Sequence, residues 1–159
     1  MKFSDLHRNI QIRIVTSFLT KVIGSMVFPF MAIYFTETLS ATWAGIMLMM
    51  NVTASLLTGF YGGYVADRIG RKKVMVYGQW IIILSFIGMA LSNSPLFLSP
   101  WITFFMMLLN SFANGLINPA ADAMLIDVST KETRQFMYSV SYWATNLSVM
   151  IGSMVGDGF

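Results

Sequence analysis

The sequence predicts an all-α membrane protein with five spanning helices, and three observations carry that reading. Hydrophobic residues fill 56% of its 159 positions and charged residues only 11%, whereas a soluble domain carries roughly a quarter charged residues. The apolar residues arrive in blocks of about 20, the length that crosses a hydrocarbon core of ~30 Å at ~1.5 Å per residue. Nine of the ten basic residues fall at alternate connections between those blocks, the pattern of a chain that crosses and recrosses a bilayer.

The first span is expected from Ile12 to Phe35. No small-residue cleavage site follows it, and it is too long for a signal-peptide core, so it stays as a helix. Pro29 removes one backbone donor within it and predicts a kink. Lys21 is the one basic residue inside a span; its amine either snorkels along its four-carbon stem to the cytoplasmic interface or faces a polar cavity. The second span is placed from Trp43 to Ala66 and the third from Val74 to Leu91, the third apolar except for Gln79, as suits a helix on the outside of a bundle. The fourth runs from Trp101 to Ala121 and the fifth from Met137 to Gly156. Barrel strands are excluded, because the blocks do not alternate and are about twice the length such strands need.

Orientation follows from the basic residues. Lys2, Arg8 and Arg13 precede or open the first span, Arg68, Arg71, Lys72 and Lys73 follow the second, and Lys131 and Arg134 follow the fourth. The segments Thr36 to Thr42 and Ser92 to Pro100 contain no Lys or Arg. By the positive-inside rule the N-terminus is cytoplasmic, and Trp43 and Trp101 anchor the second and fourth spans at the outer headgroups.

Several functions are excluded or disfavoured. Cysteine is absent and His7 is the single histidine, so thiolate and histidine metal sites have no ligands and no metal is expected. No cofactor is implied and no enzymatic constellation is present. Ten basic against seven acidic residues is a small excess that topology accounts for, so no nucleic-acid partner is expected. A phosphate-cradling loop with Lys-Ser/Thr is also missing, which disfavours an ATP-driven pump.

The sharpest motif is Gly63-Tyr64-Val65-Ala66-Asp67-Arg68-Ile69-Gly70-Arg71-Lys72-Lys73, between the second and third spans. Gly59 and Gly63, four apart, let the helix backbone approach a neighbour. Asp67 lies one turn on, where a carboxylate can meet a helix N-terminus, and Gly70 supplies a turn conformation that a side chain resists. Lys72 and Lys73 also read as an ordinary positive-inside loop. The stretch resembles the cytoplasmic loop signature of the major facilitator superfamily, Gly-x-x-x-Asp-Arg-x-Gly-Arg-Arg/Lys, at every defining position. Asn118-Pro119-Ala120-Ala121-Asp122-Ala123-Met124-Leu125-Ile126-Asp127, followed by Arg134, is similar to the family's Pro-Ala-x-x-Ala-x-x-x-Asp stretch.

The resemblance implies five helices of the N-terminal six-helix bundle of that fold, in the inner membrane of a bacterium. It implies a secondary active transporter of a small solute working by alternating access. It also implies a charge relay in which Asp127 pairs with Arg71 beside Asp67, with Gly63, Arg68 and Gly70 shaping the gating loop. Members have twelve or more helices, so the expected partners are membrane lipid, an unidentified small-molecule substrate with or without proton coupling, and the missing C-terminal half. Truncation, with inactivity of these residues alone, is the expectation. The alternative is a non-transporting membrane fragment or scaffold that packs with a partner.

Polar residues within the spans are candidate cavity lining. Asn110, Asn114 and Asn118 recur every fourth residue towards Asp122, a slowly drifting stripe that should face the bundle interior. It either lines a transport cavity or makes interhelical hydrogen bonds. Asn51 and Asn146 are candidates for the same surface, together with Lys21. The sequence departs from the drug and proton antiporter branch at Ser111, where that branch carries arginine, and in the fifth span, where Gly152-Ser153-Met154-Val155-Gly156-Asp157 lacks the branch's proline. Both departures weigh against proton-coupled drug export.

The topology is directly testable. A cysteine at Asn93 is expected to react with an impermeant thiol reagent added outside intact cells, and one at Lys72 is expected to be protected. The reverse pattern, or labelling of both, overturns the orientation.

Overall fold

The computed structural model describes residues 8–94, 97–127 and 129–156. Lys2, His7 and Asp157, which entered the readings above, lie outside the described residues. Five helices follow in order: α1 (Arg8–Thr38), α2 (Ala41–Ile69), α3 (Arg71–Ser92), α4 (Pro100–Asp127) and α5 (Lys131–Gly156). Each is longer than its apolar window predicts, because a helix continues through polar flanks until a cap or turn stops it. Four of them, α1 to α4, are long and apolar enough to cross a membrane. The fifth, rich in Ser, Thr, Asn and Tyr, is the least apolar.

The helix ends are specified locally. Ser40 caps α2 by accepting from the Trp43 N–H at 3.3 Å, and Pro100 opens α4 at a position where its missing N–H costs nothing. Thr130 and Thr133 cap α5 reciprocally, each side chain accepting from the other's backbone N–H, at 2.8 and 3.3 Å. Between α2 and α3 stands one residue, Gly70, with φ of 102°. Its N–H closes α2 by donating to the Ala66 carbonyl, and its own carbonyl receives Lys73 and Val74 to start α3. A residue with a Cβ resists that φ, so the tight reversal depends on glycine.

The loop after α3 contains an element that block length could not show. Asn93–Ser94 (β1) pairs antiparallel with Phe97–Leu98 (β2), Asn93 opposite Leu98 and Ser94 opposite Phe97. A knot of small polar groups holds its base. Ser92 Oγ lies 2.9 Å from Thr103 Oγ1, and Asn93 Nδ2 donates to Thr103 Oγ1 and to the Met89 carbonyl.

The chain divides into two compact units, Tyr34–Met124 and the segments up to Ile33 and from Leu125 onward. In the first, α4 is the enclosed helix: 39% of its apolar window is buried, against 22% for α2 and 28% for α3. Ile82 packs with Ala113, Ile117 and Ala121, and Ala66 and Val74 pack with Ala120. Alanine dominates the α4 side of both clusters, as expected where helices associate through close packing rather than expulsion of water. Trp43 and Trp101 meet edge to face with centroids 5.6 Å apart, so the two expected interfacial anchors form one aromatic pair. In the second unit, Ile10 and Ile14 of α1 pack with Leu125 and with Met137 of α5, supported by Phe136, Val140 and Ala144.

A close helix contact is made at Gly115, where a Cβ would collide with Thr58 Oγ1 and press on the Ser55 carbonyl of α2. Gly115→Ala is expected to destabilise by about 1–3 kcal/mol, because a backbone oxygen cannot move aside without separating the helices. Gly63→Ala, in open space, is expected to melt at or slightly above the parent temperature, since Ala is the better helix former. Thermal unfolding in detergent by circular dichroism compares them, and a Gly115→Ala melt matching the parent refutes the contact.

Candidate functional site at the signature turn and the polar clasps of helix four

The signature residues gather around the α2–α3 reversal. Gly70 places Asp67, at the end of α2, against Arg71, the first residue of α3. The Arg71 Nη2 to Asp67 Oδ1 distance is 3.5 Å, with Asp67 70% exposed and Arg71 33% exposed. At that exposure the pair contributes about 0–1 kcal/mol, so it orients the turn more than it stabilises the fold. Arg68 lies over the Tyr64 ring, 5.4 Å from its centroid, a cation–π contact that also belongs to the turn.

The glycines divide differently from the spacing argument. Gly62 makes the close approach to α4, where a Cβ would press on the Pro119 ring, the Gly115 carbonyl and Leu116. Gly59 sits at the edge of that contact, 3.9 Å from the Gly115 carbonyl, and Gly63 has nothing within 4 Å. One residue of rotation is about 100° around a helix. Gly63 therefore leaves its surface to the exposed side of α2, beside Phe60 and Tyr64.

Asp127 ends α4, is exposed, and belongs to the unit that contains α5. Arg134, the trailing arginine of the second motif, folds back on that helix end. Its Nη2 donates to the Ile126 carbonyl and its Nε to Ser129 Oγ, both at 3.3 Å. A cation at a helix C-terminus satisfies orphan carbonyls and complements the dipole.

The asparagines separate into two groups. Asn110 is 1% exposed and donates to Ser85 Oγ of α3 at 2.9 Å, while Ser85 donates to the Ile82 carbonyl. Asn114 donates to the Asn110 side-chain and backbone oxygens at 2.7 and 3.0 Å. Asn51 of α2 accepts from Ser111 Oγ at 2.9 Å and donates to the Met47 carbonyl. These three asparagines thus stand in a set of clasps that joins α4 to α2 and α3. Asn118 and Asp122 are exposed, and Asn146 is exposed with its amide on the Tyr142 carbonyl of its own helix.

Lys21 makes an interhelical contact within the other unit. Its Nζ donates to Thr145 Oγ1 of α5 at 2.7 Å, and Thr145 donates to the Ser141 carbonyl at 2.8 Å. One turn along, Ser25 Oγ reaches the Ser148 carbonyl at 3.0 Å, and Gly152 admits Ser25 and the Val22 carbonyl. Ser85, Ser111, Thr145 and Gly62 were missed in the sequence. The available signal for Ser85 was a lone hydroxyl in the middle of an apolar span, and for Ser111 its place one residue after Asn110.

Helices of membrane-spanning length, a one-glycine reversal carrying Asp67 and Arg71, and small-residue helix contacts define a polytopic α-helical membrane protein with a charged turn between its second and third helices. The model of the Major Facilitator Superfamily matches residues 14–159, and the chain belongs to that family. A Na(+), Li(+), K(+)/H(+) antiporter of Planococcus maritimus is 36% identical over 156 residues, covering 98% of this chain and 37% of that protein. An uncharacterised MFS-type transporter of Bacillus subtilis is 31% identical over 157 residues, with the same coverage. The multidrug resistance protein MdtH of Proteus mirabilis is 29% identical over 136 residues, 83% of this chain and 32% of that protein. The chain thus spans 37% of the length of the first two relatives.

The clasps and the cavity reading give different chemistry. Cysteines replacing Asn51 and Asn110 are expected to be inert to a water-soluble maleimide in native protein and to react after denaturation. Native labelling at the rate of a cysteine at Asp122 places them on a watered cavity instead.

Proposed function

We propose that these residues form the greater part of the N-terminal half of a secondary active transporter of a small solute, working by alternating access. The observation that carries the reading is the Asp67–Arg71 pair across Gly70 at the α2–α3 reversal, in a chain of this family. In the proposal, Asp67, Arg68 and Arg71 form the cytoplasmic gating contact. Asp127 joins it as the second acid, and the relay makes and breaks as the halves rock. An exposed ion pair worth little in stability suits a contact that must open in every cycle. Membership among transporters also supports the absence of enzymatic chemistry.

Lys21, Asn118 and Asn146 are the proposed contributors to the solute path, and Asn51, Asn110 and Asn114 hold the helices that frame it. The first substrate class to assay is a monovalent cation exchanged for protons, the activity in the name of the 36%-identical relative; drugs, from the name of the 29%-identical one, come second. The proposed location is a bacterial inner membrane with the N-terminus cytoplasmic, supported by the basic residues at alternate connections.

These 159 residues by themselves are proposed not to complete the cycle. The outward side of α2 leaves Phe60 82%, Tyr61 68% and Tyr64 60% exposed. A midplane site between two halves needs a second set of walls.

Two measurements test the reading. In a chain of the relatives' length, Asp67→Asn or Arg71→Ala is expected to reduce transport at least tenfold, a loss of about 1.4 kcal/mol in the limiting step, with insertion unchanged. Parental transport in both variants removes the gating role. The 159 residues reconstituted into liposomes are expected to give no counterflow above empty vesicles, and any solute-specific counterflow refutes the incompleteness.

A further inference from the structure

The α3 helix carries a feature that the gating reading does not use. Lys73, Tyr77, Trp80, Leu84 and Leu91 lie at spacings of four, three, four and seven, one continuous stripe along a helix. All five are exposed, Tyr77 by 63%, Trp80 by 61%, Leu84 by 59% and Leu91 by 64%. The opposite side of the same helix is packed, through Val74, Gly78, Ile82, Ser85 and Met89. The stripe is graded: an ammonium at the helix start, then a phenol, then an indole, then aliphatic side chains. At ~1.5 Å per residue it runs about 27 Å from Lys73 to Leu91, close to the thickness of a hydrocarbon core.

The charged end is stronger than one lysine. Lys72, next to it in the chain, and Arg68, on the other side of the Gly70 turn, are exposed as well, so three exposed cations stand at the turn from which the stripe begins. The first turn of α3 reads Arg71-Lys72-Lys73, with no acidic residue and no side-chain cap from Gly70. Cations are unfavourable at the positive end of a helix dipole, and an anion is favourable there. Positive charge above, amphipathic rings at the interface and aliphatic surface below are complementary to one kind of molecule, a phospholipid with net negative charge.

We infer that the Lys73–Tyr77–Trp80–Leu84 stripe of α3, with Lys72 and Arg68 at its head, is a seat for an anionic phospholipid. The cations hold the headgroup phosphate, Tyr77 and Trp80 lie along the glycerol region, and Leu84 onward follows the acyl chain. The expected selectivity over a zwitterionic lipid is on the order of fivefold for each basic residue engaged, and it weakens as salt screens the headgroup.

The test uses Trp80 as the reporter, with Trp43, Trp101 and Trp143 each replaced by phenylalanine. The protein is reconstituted in mixed phosphatidylcholine and phosphatidylglycerol vesicles in which one lipid or the other is brominated. Brominated phosphatidylglycerol is expected to quench Trp80 severalfold more efficiently than brominated phosphatidylcholine at equal mole fraction, less so in high salt. Lys72→Gln/Lys73→Gln is expected to equalise the two, while quenching by phosphatidylcholine stays at the parent value. Wild-type protein analysed by native mass spectrometry, after exchange into an equal mixture, is expected to retain phosphatidylglycerol. Equal quenching by both lipids, no quenching by either, selectivity that survives the double substitution, or retention of phosphatidylcholine alone overturns the assignment.

Discussion

The structure depends on one constraint: a polar group that faces hydrocarbon has no water to bond, so every polar side chain placed inside a span must be answered by another part of the protein. Helix α4 carries several such groups, and its neighbours in the unit answer Thr103, Asn110 and Ser111. Asn110 closes on Ser85, Ser111 on Asn51, and Thr103 on Ser92 and Asn93. These bonds lie at several levels along α4 and reach both neighbours, so they fix rotation and register as well as proximity. In bilayers each is worth only ~0.6–2 kcal/mol. Their value is specificity, since an apolar seam in lipid has little to choose one register over the next.

Close packing supplies what the hydrogen bonds do not. Gly62 and Gly115 bring the α2 and α4 backbones together, and dispersion over that surface replaces the hydrophobic drive that lipid removes. The same contact explains why Gly63 is free. With Gly62 turned into the seam, the next residue points about 100° away, and the signature face of α2 is left outside the packed side. That surface leaves Phe60, Tyr61 and Tyr64 exposed beside an open glycine. The fold thus separates a packed side of α2 that holds the unit together from an exposed side that carries the signature glycine.

How much of this the sequence showed follows from what each signal measures. Hydropathy reports solvent, so it found all five helices. The turn at Gly70 was legible because one residue type is suited to its φ. The clasp partners were not legible, because Asn51 and Ser111 are sixty residues apart and nothing local to either encodes the distance between their helices. The four-residue spacing of Gly59 and Gly63 named the right helix for a close approach but assigned it one residue too far, since spacing gives a face only to within the width of a side chain. The asparagine stripe was read as a unit, yet it drifts around α4. Asn110 ends in the α3 seam and Asn118 ends exposed, a change of surroundings over two turns.

Lys21 shows how a hydroxyl on a neighbouring helix can hold a lysine amine within a span. Near the middle of a 31-residue helix, its amine could be carried toward an interface by the flexible stem. Instead it meets Thr145 on α5, whose hydroxyl proton is committed to the Ser141 carbonyl. That commitment turns the Thr145 lone pairs outward, so the hydroxyl is an acceptor in the direction of the amine. Ser25 and Gly152 repeat the pattern one turn on, a small donor against a bare backbone. The α1–α5 seam therefore joins polar contacts to a glycine packed against backbone. Both seams are closed by backbone contact at a glycine, Gly152 against the Val22 carbonyl and Gly115 against the Ser55 carbonyl, and the hydrogen bonds beside each glycine choose the register that close packing alone leaves open.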